Sequence, residues 1–173
     1  MGLIANYQEI NTEDLDRIVE TIESEVEINL YRELDNLANN ESLNQYNMDK
    51  MWDSLNFLIT EETHEDLSFK SLVTDAIFGS CQFPDDMVDI YLAFVAPDGV
   101  CDVADALNDI DIDEYLDEFD MKKFAKYEVY PNIWEHEDEK ELIKADLKTC
   151  FEDLKEFYTE TAKNGNCALV FIG

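Results

Sequence analysis

The chain has 173 residues, with 42 Asp or Glu against 12 Lys or Arg and a formal net charge of −30 at pH 7. Such a charge repels nucleic acid and anionic membranes and steers basic partners inward. A hydrophobic content of 46% with 12% aromatics excludes a disordered acidic chain, so one domain over residues 1–173 is expected, large enough to bury about two-thirds of its unfolded surface.

"LIANYQEI" alternates apolar and polar residues and predicts an opening strand. Asn11 then offers a helix cap, and Leu15, Ile18, Val19, Ile22 and Val26 recur at helical spacing behind an acidic first turn. "ESEVEINLYRELDNLANN" continues helically. In "NMDKMWDSLNFLIT" the spacing of Met48, Trp52, Leu55 and Ile59 predicts a third helix, capped by Asp49 with Lys50 in its first turn. "TEETHEDLSFKS" reads as a loop, and "LVTDAIFGS" is open between strand and helix.

"VDIYLAFV" is a β-rich run stopped by Pro97, and the proline then opens a helix through "PDGVCDVADALNDI". "EVYPNIW" must be extended before Pro131. Ile143, Leu147, Cys150, Phe151, Leu154, Phe157 and Tyr158 form one apolar stripe on a long helix that Gly165 is placed to stop. "CALVFI" is a buried closing strand. The expected fold is α+β: a small mixed sheet including both terminal strands, packed by about five to six helices.

No apolar run exceeds "IYLAFVA", too short to span a bilayer. "MGLIANYQEI" lacks the basic, apolar and cleavage regions of a secretory signal. Cys81, Cys101, Cys150 and Cys167 show no close pairing, so reduced thiols in the cytoplasm are expected.

The opening "MGLIANY", the "DKMWDSLNFLIT" segment, the "EVYPNIW" turn and the final helix running into "GNCALVFIG" occur in one order along nearly the whole chain. In this ordered set the sequence resembles the YfbM-like family of small bacterial proteins of unknown function. The resemblance implies a single α+β domain in the bacterial cytoplasm, and it brings no reaction or catalytic residue to transfer. The family's helix motif often reads Trp-x-x-Leu-His-Phe; here Asn56 stands in the His position, so any role of that His in relatives does not carry over.

In "NDIDIDEYLDEFD", Asp109, Asp111 and Asp113 occupy the first three ligand positions of a calcium loop, but Glu114 stands where the loop needs Gly and Asp120 where it needs Glu. Asp111 as a helix cap with Glu114 three residues on fits better, with Tyr115, Leu116 and Phe119 facing the core. His64 and His136 sit among acids in loops without metal-ligand spacing, and the cysteines lack paired spacing, so neither a metal site nor a cofactor is expected. Cys81 or Cys101 could pair with either histidine only through folding that sequence does not display. No catalytic residue is assigned. A ligand groove could be lined by Trp52, Asp53, Asn56, Tyr130 and Trp134, although the "DKMWDS" context points the charges of its helix outward.

Between Ser71 and Met121 there are 14 acids and no Lys or Arg. The leading expectation is therefore a non-enzymatic binding protein whose acidic face meets a basic protein, in its concrete form an immunity-type inhibitor of a nucleic-acid-directed toxin. That face would comprise Asp85, Asp86, Asp89, Asp98, Asp102, Asp105, Asp109, Asp113, Asp117, Glu118 and Asp120, with no nucleic-acid or membrane partner. The alternatives are a small-molecule-binding protein or hydrolase with a pocket near Trp52, Asn56 and Tyr130, or an acidic protein without a special partner.

Overall fold

The run "CALVFI" forms a strand with neighbours on both sides. The computed structural model describes residues 2–23, 27–39, 42–65, 71–83 and 90–173. Its strands are β1 (Ala5–Ile10), β2 (Gln45–Asp49), β3 (Cys81–Gln82), β4 (Tyr91–Val95) and β5 (Cys167–Ile172). They pair in the order β2-β1-β5-β4-β3, antiparallel at every junction. Ile172 of β5 stands opposite Ala5 of β1 on one side and Tyr91 of β4 on the other.

Both faces of β5 are covered, which is why its sequence is continuously apolar instead of alternating. Ala168, Val170 and Ile172 enter the larger core, and Cys167 and Leu169 the smaller one. The smaller core is closed by Leu15, Ile18 and Ile22 of α1 (Thr12–Glu23) and Leu34 and Leu37 of α2 (Glu27–Ala38). Against the opposite face pack α3 (Trp52–Thr60), α4 (Leu72–Phe78), α5 (Pro97–Asn108), α6 (Ile112–Asp117), α7 (Met121–Lys126) and α8 (Lys140–Asn164).

Asn11 caps α1, its Oδ1 accepting from Asp14 N at 2.8 Å. Pro97 opens α5. Gly165 stops α8 in the left-handed conformation, φ 68°. The α8 stripe is buried except at Cys150, which is half-buried. Val26 lies outside the described residues.

Three expectations need correction. The sheet is antiparallel where a mixed one was expected, and eight α-helices occur among the described residues instead of five or six. The surplus over six comes from α4, left open between strand and helix, and α7, which span only seven and six residues, too few turns to display a period. The expected third helix is two elements: β2 ends at Asp49, whose φ is +54°, and α3 begins after an N-cap at Met51. Asp49 is thus no helix cap. Met48 and Trp52 both reach the large core, so a strand residue and a helix residue mimicked helical spacing.

The C-terminus of α4 is finished by tyrosines. Its Asp75 carbonyl accepts from Gly79 N, while the next three carbonyls have no partner within the helix. Tyr158 Oη donates to Ala76 O at 2.9 Å, Tyr7 Oη to Ile77 O at 3.1 Å and Tyr91 Oη to Phe78 O at 2.8 Å. Hydroxyls from α8, β1 and β4 thus satisfy three consecutive carbonyls. Tyr158→Phe leaves the Ala76 carbonyl unpaired and is expected to cost about 1–2 kcal/mol in urea unfolding; an unchanged midpoint would show that this hydroxyl contributes nothing.

A buried carboxylate fixes the opposite end of the sheet. Glu9 is 1% exposed, and it accepts from Asn166 Nδ2 at 2.6 Å, Asn164 Nδ2 at 3.0 Å and Asn44 N at 3.2 Å. Neutral donors from the end of α8, the start of β5 and the approach to β2 meet on one side chain of β1. No helix among the described residues is long and apolar enough to cross a membrane.

Candidate functional site

Helix α3 is buried on all sides along most of its length: every residue from Trp52 to Leu58 is buried. A helix with no solvent face has no polar stripe, so its Asp53 does not point outward as the sequence context suggested. The Asp53 side chain is 0% exposed. A carboxylate in that position must be satisfied by fixed donors, because its desolvation is costly.

Three donors converge on it. Oδ1 accepts from the backbone N of His64 at 2.7 Å, and Oδ2 from the backbone N of Tyr130 at 2.9 Å. His64 Nδ1 lies 3.0 Å from the same Oδ2. Asp53 therefore joins the loop after α3 to the "VYPNIW" turn. The neighbouring Ser54 fastens the turn a second time, its Oγ donating to Tyr130 O at 2.6 Å.

The geometry places the His64 imidazole at a cavity of about 310 Å³ lined by Leu3, Trp52, His64, Phe78, Ile90, Tyr91, Ile172 and Gly173. Trp52 meets His64 edge-on with ring centroids 5.2 Å apart and stacks on Tyr130 at 5.3 Å. Trp52 Nε1 and Tyr130 Oη both donate to the Leu3 carbonyl, each at 3.2 Å. The His64 side chain remains 35% exposed.

A carboxylate on Nδ1 fixes the imidazole's orientation and, in the neutral ring, its tautomer, leaving Nε2 as a lone-pair acceptor. Such a pair can accept a hydrogen bond or a proton from a bound molecule. Among the described residues no Ser, Thr or Cys lines the cavity.

Of the expected groove residues, Trp52, Asp53 and Tyr130 come together. Trp134 packs instead against Phe119 and Phe124 and donates to Val129 O. Asn56 is fully buried behind the site: Nδ2 donates to Glu62 O at 2.7 Å, and Oδ1 has no partner among the described residues. The residue that sequence reasoning passed over is His64. Eleven positions separate it from Asp53, and nothing local in "EETHED" marks a return onto α3.

The acidic positions fall into three groups. Asp98, Asp102, Asp105 and Asp109, spaced four, three and four apart, form one exposed stripe along α5 and its end. Asp113, Asp117, Glu118 and Asp120 are exposed on α6 and the turn into α7. Asp85, Asp86 and Asp89 lie outside the described residues. The segment lacks bases in sequence but meets one in space, for Lys148 Nζ of α8 lies 2.7 Å from both carboxylate oxygens of Asp113. Hydrogen bonding to Asp113 raises the Lys148 pKa.

The aspartate run is a helix junction. Asp111 caps α6 by accepting from Asp113 N at 3.1 Å, Asp120 caps α7, and Ile112 is buried. Among the described residues no group of three or more His, Cys, Asp or Glu is placed to hold a metal ion. His136 and Cys101 are exposed and apart from the cavity, as is Cys81 on β3.

Comparison with known proteins gives a consistent placement. Protein YfbM of Escherichia coli (strain K12) is 25% identical over 172 residues, covering 99% of each chain. The crystal structure of YfbM from Escherichia coli, titled a protein of unknown function, superposes with a TM-score of 0.80 at 24% identity, over 98% of this chain and 99% of that one. This likeness shows the same fold. The family described as a domain of unknown function, DUF1877, matches residues 1–171. With all but the last two residues matched, the chain belongs to the DUF1877 family.

Proposed function

We propose that the chain is a binding protein for a small, largely apolar molecule held in the cavity beside α3, with His64 as its polar contact. The observation that carries this reading is the Asp53–His64 pair: a wholly buried carboxylate holds an imidazole that remains accessible at an aromatic cavity. Apolar walls with a few convergent polar groups are the usual composition of a ligand site. The cavity is near the lower end of the usual size range, which favours a compact ligand. A cytoplasmic location accompanies this reading.

A metabolite panel read by thermal unfolding tests it. A ligand present at a hundred times its Kd contributes about 2.7 kcal/mol, a rise of roughly 5–10 °C for a domain of this size. The same ligand should change Trp52 fluorescence, and His64→Ala should reduce the rise while leaving the ligand-free Tm within a few degrees. A flat panel would remove the reading.

The α5 stripe supports a second reading, docking of a basic protein such as a nucleic-acid-directed toxin. No base stands in the last turn of α5, and Asp105 and Asp109 lie where the helix dipole disfavours an anion by about 0.3–1 kcal/mol each. Helix stability therefore does not account for these charges. Reversing Asp98, Asp102, Asp105 and Asp109 to Lys is expected to slow association with a basic toxin encoded beside this gene at least tenfold, as should raised salt. A Kd insensitive to both would end the electrostatic reading.

A further inference from the structure

Resting on the pocket reading above, we propose that the cavity selects an apolar amine in its protonated form, a compact arylalkyl or alkyl ammonium ion. Both Asp53 oxygens already accept backbone N–H groups, and Oδ2 also faces Nδ1 of His64. With Nδ1–H directed at that carboxylate, the neutral imidazole offers its other nitrogen, Nε2, as an acceptor only. The polar group of a fitting ligand must then be a donor.

The aromatic walls have no donor of their own to spare. Trp52 Nε1 is engaged by Leu3 O and the Tyr91 hydroxyl by Phe78 O. Carbon and π surface remain, from rings standing nearly perpendicular: Trp52 to Phe78 at 87° and Phe78 to Tyr91 at 79°. Aromatic surface of this kind favours a cation carried on an apolar body.

Charge decides among the remaining classes. The formal net charge is −30, and no Lys or Arg lines the cavity among the described residues. An anionic ligand would approach against the field and find no counter-ion. A hydrocarbon would fill the space and offer Nε2 no hydrogen bond. An ammonium ion meets all three conditions: it donates to Nε2, its charge lies against aromatic rings, and the protein's field draws it in.

Three probes with a common skeleton test this by calorimetry on the full chain: phenethylamine at neutral pH, propylbenzene and phenylpropionate. Phenethylamine is expected to bind about tenfold or more tightly than either of the others. His64→Phe should erase its advantage over propylbenzene while propylbenzene binding persists, a difference that loss of folding would not produce. If propylbenzene or phenylpropionate binds as tightly as the amine to the unaltered protein, the ammonium assignment is overturned and the pocket stands. If none of the three binds, the assignment and the pocket reading both fall.

Discussion

Asp53→Ala is expected to lower the unfolding free energy by about 3–5 kcal/mol, the range for breaking a buried charged cluster by removing one partner. The substitution strands the backbone N–H groups of His64 and Tyr130, which donate at 2.7 and 2.9 Å, together with the His64 imidazole. Each stranded donor adds its own desolvation penalty. Asp53→Asn retains one acceptor oxygen and should fall between the two, while His64→Ala removes only the partner that is already part-exposed. Urea unfolding should therefore order the variants as His64→Ala, Asp53→Asn and Asp53→Ala, from mildest to most severe. An Asp53→Ala protein within about 1 kcal/mol of the parent would show that the loop and the turn do not depend on this carboxylate.

Alkaline pH should unfold the protein cooperatively. Burial raises the pKa values of Tyr7 and Tyr158 well above the usual phenol range, and Tyr46, part-buried, is raised for the same first cause. Burial also pushes the Cys150 thiol up to about 11. In each case the folded value exceeds the unfolded one, so the folded state retains protons that the unfolded chain releases. Their stabilisation is complete below the unfolded pKa values, about 9 for the thiol and about 10 for the phenols, and is lost as pH rises above them. Tyr7 and Tyr158 alone give a slope of about 2.7 kcal/mol per pH unit, two protons at about 1.36 each. Phenolate absorbance and circular dichroism should change together above about pH 10. Tyrosines that ionised individually with the backbone signal intact would contradict this burial.

The sequence revealed most where burial is one-sided or complete over a long run. The α8 stripe, the proline start of α5 and the apolar β5 each carry a period or a terminator that local residues determine. α3 defeated the same reasoning because it is enclosed: when Trp52 and Asp53 are equally buried, charge pattern ceases to report direction. The expected third helix misled for a related reason, since Met48 reaches the core from a strand at the distance a helix would supply. The Asp53–His64 pair has no local signature at all. It exists because the chain folds back after α3 and because Asp53 draws both that loop and the Tyr130 turn onto itself. Trp52 and Tyr130 were legible as aromatic candidates, whereas Trp134, of the same residue type, belongs to another part of the core.

The central place of β5 bears on how the polypeptide emerges from the ribosome. β1 with β2 and β4 with β3 are two separate hairpin-like pairs that share no edge until residues 167–172 are inserted between them. Without those residues each sheet half keeps an open edge along the seam that β5 fills. The sheet cannot close domain-first in the usual N-to-C direction; completion waits for the last strand, with contacts spanning over 160 positions, as from Ala5 to Ile172. A dense negative charge on the nascent chain opposes close approach of neighbouring copies during that interval, so the acidity of the sequence acts before the sheet is closed.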